Sequence, residues 1–210
     1  MQHKYLDRPT KEQIRELPDF KGLTLDKIHV VSTADDLNFA RQEIFNASHI
    51  GFDTESKPNF IANQPQTGPH LVQISTENHA FLFHLSDETG QALLAEVIES
   101  QSFIKVGFGL KSDRGPLQRK LGIKLQSTVE LSTIVKQLGY KQAVGLKAAV
   151  AIVLGEHIKK SKSDSTSNWG ATTLSNAQLL YAANDAYAAL RIYSALNVDN
   201  PLTAKDIPRV

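Results

Sequence analysis

A chain of 210 residues with 41% hydrophobic and 21% charged side chains is long enough for one well-cored domain and has an ordinary globular composition. Its formal net charge of +1 supplies no global field to gather nucleic acid, so any such partner must be held by a local patch. The absence of cysteine excludes disulfides, thiolate zinc sites and thiol nucleophiles and suits the cytoplasm, while no apolar run approaches the roughly 20 residues that span a bilayer, so no membrane partner is expected.

Residues 1–28 read as an N-terminal extension. Thr10 and Gln13 stand at capping-box spacing before KEQIREL, Pro18 stops that helix, and the extension is expected to pack across a core domain at 29–196. In the core, HVVS predicts a short strand and ADDLNFARQEIFNA a helix. Alternation then predicts three strands, HIGFDTE, HLVQIST and HAFLFHL. Between the first two lies SKPNFIANQPQTGP, whose Pro, Asn and Gly content predicts a loop. Residues 91–98 predict a helix through Leu93, Leu94, Val97 and Ile98, and FIKVGF a strand. Helices follow at LKSDRGPLQRKLG, VELSTIVKQLG and GLKAAVAIVLG, then the polar stretch KKSKSDSTSNWG, a long helix from Ser175 to about Leu196, and a loose tail at 197–210. Strands joined by short turns, followed by alternating helix and strand, predict an α/β domain with a mixed sheet flanked by helices on both faces.

Four carboxylates fall on core-facing positions of this pattern. In a strand alternate side chains share a face, so Asp53 and Glu55 point together, about 7 Å apart, while Ile50, Phe52 and Thr54 point the other way. Asp113 begins a helix stripe that continues as Leu117 and Leu121. In the last helix Ser175 and Gln178 form a capping-box pattern, and Tyr181, Asp185, Ala189 and Ile192 share one face. Each feature alone has a mundane reading: a solvated strand edge, a charge complementing a helix dipole, a chance helical pair. Together they point to a shared divalent metal site, because a buried carboxylate is costly unless it is paired or bound to a metal.

On GFDTE, VGFGLKSD and SNWGATTLSNAQLLYAANDAY, with LVQIST and GLKAA between them, the chain resembles the DEDDy group of 3′-5′ exonucleases over about residues 29–196. The nearest branch is the Werner-type and RNase D-like domain, which has a ribonuclease H-like fold. The resemblance implies that Asp53, Glu55, Asp113 and Asp185 bind two divalent ions, Mg²⁺ or Mn²⁺, and that Tyr181 is the tyrosine that distinguishes the group. It implies further that Asp53 bridges both ions, that Glu55 and Asp185 complete the water-activating one, that Asp113 holds the other, and that Tyr181 orients the water. The sister group carries a His five residues before its last Asp, where Leu180 stands here. Ser56 departs from the Trp of the Werner-type domain, so the loop after it is expected to shape the substrate entrance differently.

The implied partner is the 3′ end of DNA or RNA. Lys159, Lys160 and Lys162 precede the last motif and are read either as a phosphate contact or as a solvated linker. Trp169 is expected to pack beneath the last helix, with base stacking as the alternative. Two other readings stand beside the exonuclease. One is a nucleotide-binding module built on Gly107, Gly109, Lys111 and Ser112, which fits neither phosphate-loop spacing well. The other is a non-catalytic nucleic-acid binder, which would have no need to retain four costly carboxylates.

Overall fold

The computed structural model describes residues 5–59, 67–159 and 166–196. Six strands form one sheet in the order β1-β4-β3-β2-β5-β6. These are β1 (Ile28–Val30), β2 (His49–Glu55), β3 (Leu71–Ser75), β4 (Ala80–His84), β5 (Ile104–Gly107) and β6 (Thr128–Glu130). The β2-β3-β4 meander is antiparallel, whereas β1 joins β4, β5 joins β2 and β6 joins β5 in parallel. The mixed sheet expected from the sequence is therefore present, with β2 between both kinds of neighbour.

The period of two sorts the side chains of this sheet between separate cores. Ile50, Phe52, Val72, Ile74, Phe81 and Phe83 are buried on one face with Leu93, Leu94, Val97 and Ile98 of α3 (Gln91–Glu99) and Leu117 of α4 (Leu110–Leu121). On the other face Leu71, Ala80 and Leu82 pack with Trp169 and with Ala182 and Ala183 of the last helix, α7 (Asn176–Leu196). Val106 of β5 leads into a third cluster, formed with α5 (Leu131–Gln137), α6 (Leu146–Ala149) and the C-terminal half of α7. Gly51 sits where β2 meets α7, and a Cβ there would overlap the Ala186 carbonyl oxygen and the Ser75 hydroxyl. Only a glycine lets strand and helix approach this closely.

Both expected capping boxes are formed. Thr10 and Gln13 exchange hydrogen bonds of 2.8 and 3.2 Å ahead of α1 (Lys11–Glu16), and Ser175 and Gln178 do so at 2.9 and 3.3 Å ahead of α7. A third, Thr33 with Asp36, starts α2 (Ala34–Phe45). The extension lies against the core through backbone bonds from Phe20 N to His157 O (3.0 Å) and from His157 N to Pro18 O (2.7 Å).

Two expected helices differ in the structure. VELSTIVKQLG is not helical from its start: Thr128–Glu130 form β6 against β5, and only then does α5 begin. The β-branched Thr128 and Val129 favour the strand, and the Glu130 side chain caps α5 by accepting from Ser132 N at 3.2 Å. GLKAAVAIVLG forms only one regular turn, α6, before widening into a π-helical turn at Val150–Leu154 that ends at Gly155 with φ of +64°. The first core strand covers Ile28–Val30 rather than HVVS. Lys160, Lys162 and the 197–210 tail lie outside the described residues. Among the described residues, no helix is long and apolar enough to cross a membrane.

Candidate active site

The β2 pleat turns Asp53 and Glu55 toward α7, and the Gly51 contact brings α7 within reach of both. One carboxylate oxygen each from Asp53, Glu55 and Asp185 lies within 4.8 Å of the other two. Asp185 is buried, at 4% exposure, whereas Asp53 and Glu55 are half-buried. A cavity of about 270 Å³ opens over these groups, with Phe108, Leu146 and Tyr181 in its wall. Tyr181 stands one helical turn before Asp185, as the i, i+4 spacing requires, and its ring packs 5.7 Å from that of Trp169. Trp169 is completely buried, which matches the packing role expected of it.

Asp113 is outside the three-carboxylate set. It lies in the first turn of α4 and accepts a hydrogen bond of 2.8 Å from Thr54 Oγ1, the residue between Asp53 and Glu55 in β2. Burial pushes its carboxyl up to about 6; the Thr54 bond opposes the rise, and the nearby Glu130 charge adds to it. The structure thus brings three of the four expected ligands together and ties the fourth to the same strand through Thr54.

The turn carrying Asp113 is held by a residue that sequence reasoning missed. Glu130 accepts from Gly109 N at 3.0 Å and from Leu110 N at 2.9 Å, capping α4 while it also caps α5. Gly109, at φ of +77°, supplies the left-handed corner that turns β5 into α4. This corner is the alternative phosphate-loop segment, but its two leading helix amides are already occupied by the Glu130 carboxylate. Phe108 and Leu146 were also missed as cavity walls; both lie inside quoted motifs, yet nothing local distinguishes them from core residues. Lys159 pairs with Asp19 at 2.6 Å on the surface.

Carboxylates this close suit a hard divalent cation. Such ions bond oxygen at roughly 2.0–2.6 Å, so small side-chain rotations bring all three groups onto one ion. The chain has no thiolate to favour a softer metal.

The family model described as 3′-5′ exonuclease matches residues 28–199. The chain belongs to the 3′-5′ exonuclease family. It is 32% identical over 151 residues to the bifunctional 3′-5′ exonuclease/ATP-dependent helicase WRN of Mus musculus, a match that covers 69% of this chain but only 11% of the mouse protein. Among solved structures, the Nibbler EXO domain of Aedes aegypti superimposes with a TM-score of 0.69 at 22% identity, covering 88% of this chain and 94% of that one. RNase D of Trypanosoma brucei in complex with RNA U12 does so with a TM-score of 0.69 at 21% identity, covering 94% and 66%. These structures share the ribonuclease H-like fold expected from the sequence.

Proposed function

We propose that the chain is a metal-dependent 3′-5′ exonuclease that removes nucleoside 5′-monophosphates one at a time from nucleic-acid 3′ ends. The observation that carries this reading is the convergence of Asp53, Glu55 and Asp185 within 4.8 Å at a cavity that Tyr181 also lines. Asp53, Glu55 and Asp185 would hold one divalent ion, and Asp53 with Asp113 a second; Mg²⁺ and Mn²⁺ both suit all-oxygen ligands. When bound, the ions supply positive charge at the phosphate and lower the pKa of a bound water.

The remaining steps belong to the chain's own groups. The Tyr181 hydroxyl, one helical turn from Asp185 in the wall of the same cavity, orients the attacking water. Water oxygen bonds to phosphorus as the bond from phosphorus to the 3′ oxygen breaks. The phosphate leaves on the terminal nucleoside, and a proton ends on the 3′ oxygen of the shortened strand. Phe108 and Leu146 offer apolar surface to the sugar and base beside this point.

Single-stranded 3′ ends are the proposed substrate, because a net charge of +1 offers little to grip or melt a duplex. RNA and DNA remain parallel proposals: one relative named above carries a helicase and another was solved with RNA. The absence of cysteine supports a cytoplasmic location. The test is a time course on single-stranded RNA and DNA labelled at either end, with Mg²⁺, Mn²⁺ or EDTA. Stepwise 5′-monophosphate release that EDTA abolishes supports the reading; internal cuts as the main product, or full activity in EDTA, would refute it.

A further inference from the structure

Asn184 stands in the interior of α7, where a short polar side chain is a poor choice for a helix. Its carboxamide is fully engaged. It accepts from Leu23 N at 2.6 Å and donates to Leu23 O at 3.1 Å, and it also donates to Leu180 O, one turn back, at 2.9 Å. One side chain of the last helix therefore holds both backbone groups of one residue of the N-terminal extension. That residue precedes the stretch covered by the family model, which begins at residue 28.

The fit around this tie is close. A Cβ on Gly22 would overlap the Asn184 carboxamide, so a side chain there would displace it. Pro18 and Phe20 share backbone hydrogen bonds with His157, and the Phe20 ring lies 6.2 Å from that of Tyr187. Leu23 packs with the cluster that holds Trp169, Ala182 and Ala183. Asn184 and Tyr187 stand at i, i+3, so the extension meets one stripe of α7.

Asn184 directly precedes Asp185, and around them α7 buries Ala182, Ala183, Ala186, Ala188 and Ala189. Methyl groups allow close approach but form shallow ridges, so they resist rolling of the helix weakly. A roll of roughly 10° moves a carboxylate about 5–6 Å from the helix axis by about 1 Å. An error of about that size at reacting groups is enough to lower a rate. We infer that Asn184 is a positioning residue: by fastening α7 to the extension it fixes the roll of the helix, and with it the placement of Asp185 against Asp53 and Glu55. Residues 18–23, outside the matched domain, then help to set metal affinity and turnover. The inference rests on Asp185 being a metal ligand, as in the exonuclease reading.

Two substitutions break the tie from opposite ends. Asn184→Ala removes the carboxamide while raising helix propensity, so a loss cannot come from a weaker α7. Gly22→Ala leaves α7 unaltered and pushes the carboxamide away. Mn²⁺ affinity is read by titration calorimetry, and kcat on a 5′-labelled single-stranded oligonucleotide at saturating Mn²⁺, both well below the melting temperature of each variant. Each single variant should bind Mn²⁺ several-fold more weakly and turn over about tenfold more slowly. The double variant should be no worse than Asn184→Ala, because Gly22→Ala then meets no carboxamide. Wild-type Mn²⁺ affinity and kcat in both single variants, whatever their melting temperatures, would leave the tie a purely structural role and overturn the inference while the exonuclease reading stands. Losses that add in the double variant overturn it too, since the two residues would then act separately. If the wild type binds Mn²⁺ but degrades neither RNA nor DNA, the exonuclease reading fails and the calorimetry still decides the inference; if it binds no Mn²⁺, both fail.

Discussion

Tyr181 and Asp185 occupy one face of one helix, yet their proposed tasks differ, and substitution separates them. Asp185→Asn replaces a buried anionic oxygen with a neutral amide beside Asp53 and Glu55, so it should lower kcat by about 10³-fold or more and move the Mn²⁺ midpoint to higher concentration. Tyr181→Phe keeps the ring against Trp169 and leaves every carboxylate in place. It should lower kcat by roughly 10–100-fold with the Mn²⁺ midpoint unchanged. Turnover measured across a Mn²⁺ titration compares the two; equal midpoint shifts would remove the water-orienting role from the hydroxyl. A second residue bears on stability. Lys105 of β5 is completely buried, and its ammonium donates to the Ser100 carbonyl at 2.6 Å. Burial pushes its pKa down to about 8, a cost of about 3 kcal/mol at neutral pH. From about pH 8 to about 10.5 the unfolded chain holds a proton that the fold has shed, so this cost is relieved as pH rises. Lys105→Met should therefore be more stable than the wild type at pH 7, with the gap closing toward pH 10. Urea midpoints at several pH values test this, and a gap independent of pH would show that the lysine is not held by desolvation.

Among the elements, the contact between β2 and α7 decides whether the site exists. Gly51→Ala would drive a methyl group into the Ala186 carbonyl, so α7 must lift from β2. The expected cost is about 1–3 kcal/mol of stability, with a fall in kcat near 10²-fold, since a shift of about 1 Å at reacting groups is enough for that. Urea unfolding and turnover on one preparation test both; unaltered turnover would mean that the helix need not sit so close. This contact also marks where sequence reading ends. The spacings Asp53-x-Glu55 and Tyr181-x-x-x-Asp185 were readable because a strand and a helix impose strict periods on a few adjacent residues. The need for glycine at 51 depends on a carbonyl 135 positions away, and no local pattern encodes it. Glu130 was read as part of a helix for a related reason: the two helix starts it caps are visible only once β5 and β6 lie side by side. Asp113 was correctly placed on the stripe with Leu117, but its hydrogen bond to Thr54 depends on how α4 crosses the sheet.

For the whole molecule, three clustered carboxylates impose mutual repulsion that a bound cation relieves. Ligand that binds only the folded state stabilises it by about 2.7 kcal/mol at one hundred times Kd. For a chain of this size that corresponds to a rise in Tm of roughly 5–10 °C. Thermal unfolding with millimolar Mn²⁺ should show this rise, EDTA should reverse it, and Asp185→Asn should blunt it. A Tm indifferent to Mn²⁺ would argue against a metal site at the cluster. The fold class and mixed sheet were readable at this scale because hydrophobic periodicity reports layers directly. The seating of the extension was not, since its ties to Asn184 and His157 span more than 130 residues.

The carboxylates of β2 and the helix that completes the cluster are separated by most of the chain, which has a consequence during synthesis. A polypeptide emerging from the ribosome N-terminus first displays Asp53, Glu55 and Asp113 long before Asp185 and Tyr181 have been made. Until α7 docks on β2, the cluster lacks its buried member and the cavity lacks a wall. The complete site is thus assembled only after translation has passed α7.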